Sequence, residues 1–82
     1  MFIRNAHGEY SQPREVFTGK TCSVKGCTKS GCDRGHVRKC DSEGNYISRQ
    51  VYIIPLCTKH NRSKTDEVME VKAGTNFVAI NE

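Results

Sequence analysis

Two pairs of potential soft metal ligands constrain this 82-residue chain more than any other feature. Cys22 and Cys27 enclose a short loop that contains Gly26, and His60 follows Cys57 by three residues. A glycine lets such a loop turn so that both thiolates face one ion, and positions three apart lie on one face of a helix. Zinc prefers four thiolate or imidazole ligands in tetrahedral geometry. The spacing therefore predicts a closed, structural Cys3His zinc site.

The size and composition of the chain also favour a bound metal. A single domain of this length buries only about 60–65% of its extended surface, and this chain is 35% hydrophobic and lacks tryptophan. Small folds of this kind need a disulfide, a metal or a partner. Five cysteines without a leading apolar segment predict a reducing, cytoplasmic location and no membrane span, and there cysteines serve as metal ligands.

The identity of the four ligands is open to two alternatives. Cys32 could replace Cys27, or Cys40 could replace His60. We favour Cys22, Cys27, Cys57 and His60 because these pairs have compact spacings, one on a loop and one at the start of a helix. Cys32 and Cys40 are then interpreted as packing residues or free thiols.

The chain reads as an N-terminal arm or strand, residues 1–19, followed by one zinc-binding domain, residues 20–82. The β-prone run of residues 46–54 is predicted to pair with residues 35–40 as a hairpin. Pro55 is expected to end the second strand, since proline lacks the N–H that a strand ladder uses.

Three further elements are predicted after the hairpin. Residues 57–66 should form a short helix whose first turn the zinc anchors, and Asn61 would lie about 100° round from His60. Residues 68–72 and 77–80 resemble two strands joined by a turn. The expected class is therefore α+β: a zinc knuckle, which is the loop from Cys22 to Cys27, then a β-hairpin, a short helix and an additional C-terminal β-hairpin.

Positive charge is concentrated in the middle of the chain. Residues 20–64 hold ten Lys or Arg against three acids, which gives +7, whereas the remainder gives −3. This distribution predicts a polyanionic partner such as nucleic acid, for which we favour DNA over RNA, although it also fits a solvated basic face.

Residues 22–65 resemble the HNH, or His-Me finger (ββα-metal), nuclease superfamily. The resemblance rests on the knuckle, a hairpin led by a histidine, and the sequence Pro-Leu-Cys-x-x-His-Asn at residues 55–61. Asp33-Arg34-Gly35-His36 is also identical to the short motif of the DNA/RNA non-specific endonucleases, a branch of that superfamily. The resemblance implies that the two ligand pairs hold the structural zinc, that His36 is the general base and that Asn61 holds a catalytic Mg²⁺ or Mn²⁺.

The implied chemistry is reasonable for phosphodiester hydrolysis. A neutral imidazole can accept a proton from water near pH 7, and Mg²⁺ needs only one or two protein oxygens beside the phosphate. Phosphate contacts are predicted for four basic side chains, Arg34, Arg38, Lys59 and Arg62. The chain departs from most members at Gly35, where they carry an acid, and at Asn61, where they carry histidine.

The sequence thus predicts a metal-dependent endonuclease or nickase that hydrolyses DNA or RNA, with His36 as base and Asn61 as metal ligand. The alternative is a catalytically inactive zinc module that binds nucleic acid or a protein partner.

Overall fold

The computed structural model of the protein describes residues 1–6 and 17–79, with the backbone alone at residues 17–19, 31 and 32. Residues 7–16 of the predicted arm and residue 80 of the last predicted strand lie outside this part. The described elements, in chain order, are β1 (Phe2–Asn5), β2 (Phe17–Thr21), β3 (Ser30–Cys40), β4 (Tyr46–Leu56), α1 (Thr58–Asn61), β5 (Met69–Glu70) and β6 (Val78–Ala79). They form an α+β fold dominated by one sheet with the strand order β5-β1-β3-β4-β6, in which β2 also pairs with β3.

The predicted hairpin is confirmed and forms the centre of the sheet. β3 and β4 are antiparallel, with Val37 directly opposite Tyr52. The connecting turn is fixed by Asp41, whose carboxylate accepts the N–H groups of Glu43 and Asn45, both at 2.9 Å. Such a side-chain bond to the following backbone is typical of a turn aspartate.

The prediction that Pro55 ends β4 is wrong by one residue. Leu56 still pairs with Asp33, and Pro55 lies opposite Arg34 within the ladder. Proline lacks only the donor, and its carbonyl remains available: it accepts the N–H of Ser23 at 2.9 Å.

The predicted C-terminal hairpin is not formed. β5 pairs with β1, whereas β6 pairs with β4, so the two strands lie at opposite ends of the strand order. β1 adds to the sheet beside β3 and offers its other edge to Met69, which lies opposite Ile3. Both side chains are buried, and this apolar contact competes successfully with a local turn.

The predicted helix over residues 57–66 is shorter than expected, because α1 ends at Asn61. The amide of Asn5 donates hydrogen bonds to the carbonyls of His60 and Ser63 at 2.8 and 3.0 Å. The carbonyl of His60 also accepts the N–H of Ser63 at 3.2 Å, so the chain leaves α1 in a tight turn. A contact from a distant strand thus caps the end of the helix.

The sheet has two distinct faces. Directly opposed residues of an antiparallel pair share a face, and successive residues alternate between faces. We call the face that carries Val37, Ile54 and Leu56 the helix face, because these residues belong to the main buried cluster together with Cys22 and Cys57. The opposite face carries a smaller buried cluster, Ala6, Val51 and Ile53. In the described ranges, no helix is long and apolar enough to span a membrane.

Candidate metal centre

The four favoured ligands meet at one point beside the helix face. Cys22 follows β2, Cys57 directly precedes α1, and His60 lies within α1. With Cys27 they form a group in which all candidate ligand atoms lie within 4.8 Å of one another. Among the side chains that the structure describes, these are the three cysteines and the histidine that the sequence predicted to lie together.

The distances within this group fit a tetrahedral zinc site. The Sγ atoms of Cys27 and Cys57 are 3.9 Å apart, and the Nδ1 of His60 lies 3.5 Å from the Sγ of Cys22 and 3.1 Å from that of Cys57. With Zn–S bonds near 2.3 Å and Zn–N bonds near 2.0 Å, a regular tetrahedron separates two sulfurs by about 3.8 Å and sulfur from nitrogen by about 3.5 Å. These four residues could hold zinc with little movement.

The knuckle that presents the first pair is built by local backbone geometry. Gly26 has φ of 82°, a value that glycine adopts without the steric cost of a Cβ. The turn is closed by the N–H of Cys27, which donates to the carbonyl of Val24 at 3.0 Å, and the N–H of Cys22 donates to that of Lys29 at 2.8 Å. The glycine in the loop therefore has the role that the sequence suggested.

The side chain of Lys72 binds the backbone of the knuckle. Its Nζ donates to the carbonyls of Cys22 and Cys27 at 2.8 and 2.6 Å. Zinc with three thiolates and a neutral imidazole carries a net charge of −1, so a lysine beside the site compensates that charge. Nothing in the local sequence distinguishes Lys72, which lies far along the chain from the knuckle. The two segments are joined by the pairing of Val24 with Val71 and by the backbone bonds on either side of it.

The thiols differ in their readiness to lose a proton. Burial raises the pKa of Cys22 to about 11. A backbone hydrogen bond from Lys29 lowers the pKa of Cys27, and the charge of Lys72 contributes to the same shift. Because thiolates are the form that binds metal, zinc binding must displace the proton from Cys22.

The alternative ligand Cys40 lies elsewhere. It is buried in β3 and pairs with Phe2 and with Tyr46 in the neighbouring strands. Burial raises the pKa of its thiol, as expected for a cysteine that packs as a small apolar side chain. The side chain of Cys32 lies outside the described part of the structure.

The predicted catalytic residues lie on different faces of the sheet. His36 is directly opposite Ile53, which places it on the face opposite α1. Asn61 is the last residue of α1, where its N–H donates to the carbonyl of Cys57 at 2.8 Å. The structure brings the predicted zinc ligands together, but it does not place His36 and Asn61 on a common face.

The predicted phosphate contacts fall into two groups. Arg34 and Arg38 alternate with buried residues of β3 and share the face of His36. Lys59 and Arg62 lie at α1 and are exposed. Arg4 of β1, which the sequence analysis did not single out, is directly opposite Arg38 and extends the first group.

Gly35, the residue before His36, lies where a side chain has no room. It lies on the helix face opposite Ile54, and a Cβ at this position would come within 2.6 Å of the Cγ of Leu56. Leu56 is fully buried, so the position has no space for a carboxylate that could bind a metal.

We expect Gly35→Ala to lower the free energy of unfolding by about 1–3 kcal/mol, the usual cost of overpacking a core. Urea denaturation of the zinc-loaded protein measures this change. In a Leu56→Ala background the same substitution should cost much less, because the space is then open. An equal cost in both backgrounds would show that contact with Leu56 is not the cause.

Comparison with known proteins adds no further assignment: no family model matches the chain, and no match is found among the curated proteins or the solved structures.

Proposed function

We propose that this chain is a zinc-stabilised domain that binds nucleic acid through the sheet face opposite α1. The supporting observation is the alternation of Arg34, His36 and Arg38 along β3, with Arg4 beside Arg38 on the next strand. The two guanidinium groups and the imidazole of β3 can contact successive phosphates, and Arg4 adds positive charge beside them. Guanidinium is well suited to bidentate phosphate binding.

The rest of the molecule fits this function. The knuckle and α1 cover the helix face, where the buried cluster and the metal group lie, so the zinc serves to fix the sheet. The excess of positive charge in residues 20–64 would attract a polyanion over a longer range. The zinc itself is structural in this proposal, because four protein ligands leave no open position on the metal.

Binding of labelled DNA at several salt concentrations tests the proposal. The logarithm of the association constant should fall linearly with that of the salt concentration, by about 0.9 per phosphate contact for duplex DNA and about 0.7 for a single strand. The double variant Arg34→Gln/Arg38→Gln should bind more weakly and with a slope reduced by roughly two contacts.

A matched control removes the same amount of positive charge from the basic residues at α1. Lys59→Gln/Arg62→Gln lowers the net charge equally but alters α1 and not the opposite face. If both double variants lose affinity equally, the net charge explains binding and the proposed face is wrong. Lack of any salt-dependent binding by the wild-type protein would refute the function itself. Circular dichroism and zinc content must show that both variants remain folded.

A metal-dependent endonuclease is the second candidate. It is favoured by the order of the described elements: the knuckle, the hairpin that carries His36, and α1, in which Asn61 directly follows the ligand His60. In this function His36 would accept the proton of the attacking water, and Asn61 would offer its amide oxygen to Mg²⁺ or Mn²⁺, which stabilises charge on the phosphate. The separation of these residues by the sheet places this candidate second.

Cleavage assays separate the two candidates. The zinc-loaded protein is incubated with plasmid DNA or structured RNA in Mg²⁺, Mn²⁺ or EDTA, beside folded His36→Ala and Asn61→Ala variants. Cleavage that requires the divalent ion and both side chains would establish the nuclease. Binding without cleavage, or equal cleavage by the variants, would refute the nuclease candidate and leave nucleic-acid binding as the remaining function.

A further inference from the structure

The sheet face opposite α1, which carries Arg34, His36 and Arg38, ends in an irregular region of β4. Arg38 pairs with Val51, and Cys40 pairs with Tyr46. Two positions along β3 therefore correspond to five positions along β4. The additional residues form a bulge in which the N–H of Gln50 donates to the Oγ of Ser48 at 3.1 Å. Bulges commonly redirect side chains beside functional sites.

Tyr46, at the end of this bulge, is held in a fixed position yet remains accessible. The guanidinium of Arg4 lies 4.5 Å from the centre of its ring, and that of Arg38 lies 5.7 Å away. Arg4 is itself anchored, since it donates to the carbonyls of Gly44 and Thr65, both at 2.8 Å. The tyrosine is nevertheless 45% exposed, so part of its surface remains accessible to a ligand.

A shallow cavity adjoins this ring. Its volume is about 260 Å³, and it is lined by Arg38, Tyr46, Ser48 and Arg49. None of these described lining residues is acidic. Asp41, the acid that follows β3, uses its carboxylate to bind the N–H groups of its own turn. The cavity thus combines an aromatic surface, a hydroxyl group and two positive charges.

From this arrangement we propose that Tyr46 is a stacking platform for an unpaired base, so that the domain binds single-stranded nucleic acid. Arg38 and Arg49 would contact the phosphates on either side, and Arg4 acts as a positioning residue that holds the ring. Base stacking on aromatic side chains combined with a basic groove is the usual mode of single-strand binding. Paired bases in a duplex are not free to stack in this way. The inference rests on the proposed nucleic-acid function and specifies its substrate.

Fluorescence anisotropy with a labelled oligothymidylate, an RNA of matching length and a duplex of the same length tests the inference. Tyr46→Ala should weaken binding of both single strands by about 5- to 150-fold, the effect of losing one base stack. Duplex affinity should change less than about two-fold, and Tyr46→Phe should retain single-strand affinity because the ring is preserved. A loss confined to RNA or to DNA would identify the preferred sugar and still support stacking.

Ile47→Ala is the matched control, because Ile47 is the next residue of the strand, is 60% exposed and has no ring. If Tyr46→Ala and Ile47→Ala have the same effect, or if duplex and single-strand affinity fall together, stacking by Tyr46 is refuted while the binding function stands. Absence of binding by the wild-type protein to all three ligands would instead refute the proposed function, and the substrate inference with it.

Discussion

Removal of zinc is expected to unfold the domain. Structural zinc in finger-type peptides contributes roughly 10–16 kcal/mol, whereas the total stability of a small domain is about 5–15 kcal/mol. The candidate ligands join the knuckle after β2 to the start of α1, so loss of the ion would release both segments from the helix face. Addition of a chelator should abolish the dispersion of the amide proton spectrum, and excess zinc should restore it.

Two cysteine variants make this prediction specific. Cys57→Ala removes a ligand and should give a protein that is largely unfolded at any practical zinc concentration. Cys40→Ala also removes a buried thiol, but one outside the metal group, and should still bind one zinc per chain and remain folded. Retention of a dispersed spectrum after complete removal of zinc, shown by metal analysis, would mean that the metal is not needed for the fold.

The metal centre and the central hairpin could be predicted because their signals are local. Each ligand pair falls within a few residues of sequence, and Asp41 begins a turn cluster between two β-prone runs. The four ligand atoms then meet because the hairpin returns the chain close to its starting point. Zinc geometry allows few solutions, so compact spacing was sufficient to choose four residues that the fold does bring together.

The outer parts of the sheet could not be predicted in the same way. β5 and β6 each have two residues, a length at which no alternating pattern can be recognised. Their partners are set by which sheet edges are available, and β1 supplies one of these edges from the other end of the chain. The proximity of β5 and β6 in sequence suggested that they pair with each other. The burial of Met69 against Ile3 instead favours the pairing of β5 with β1.

The sequence contained enough information to predict the sheet face on which His36 lies, but the motif-based prediction did not use it. Val37 is apolar and follows His36 directly, so strand alternation alone places the two side chains on opposite faces. Once Val37 packs in the main cluster, His36 must lie away from α1. Gly35 fits the same pattern, because only a residue without a side chain can lie between Val37 and the buried Leu56. The motif identified candidate chemistry, but the period of the strand decided which side it faces.

The substitution Asn5→Ala is expected to lower the free energy of unfolding of the zinc-loaded protein by about 1–3 kcal/mol. Asn5 is only 1% exposed, and its Nδ2 donates to two carbonyls at the end of α1, those of His60 and Ser63. Removal of the amide takes away two hydrogen bonds, each worth about 0.5–1.5 kcal/mol, while the carbonyl of His60 keeps the N–H of Ser63 at 3.2 Å. Urea denaturation measures the loss, and the release of zinc to a competing chelator should also become faster, because His60 is a candidate ligand.

Two comparisons separate the lost hydrogen bonds from the lost volume. Asn5→Asp keeps the shape of the side chain but replaces the donor by an oxygen that faces two carbonyls, so it should destabilise the protein at least as much as Asn5→Ala. Asn45→Ala removes an exposed amide that binds Asp41 within a turn, and its cost should stay below about 1 kcal/mol. If Asn5→Asp is as stable as the wild type, or Asn45→Ala costs as much as Asn5→Ala, then Asn5 does not hold α1 against the sheet. The expected result would instead show that a residue of the first strand fixes the backbone of a metal ligand 55 positions later.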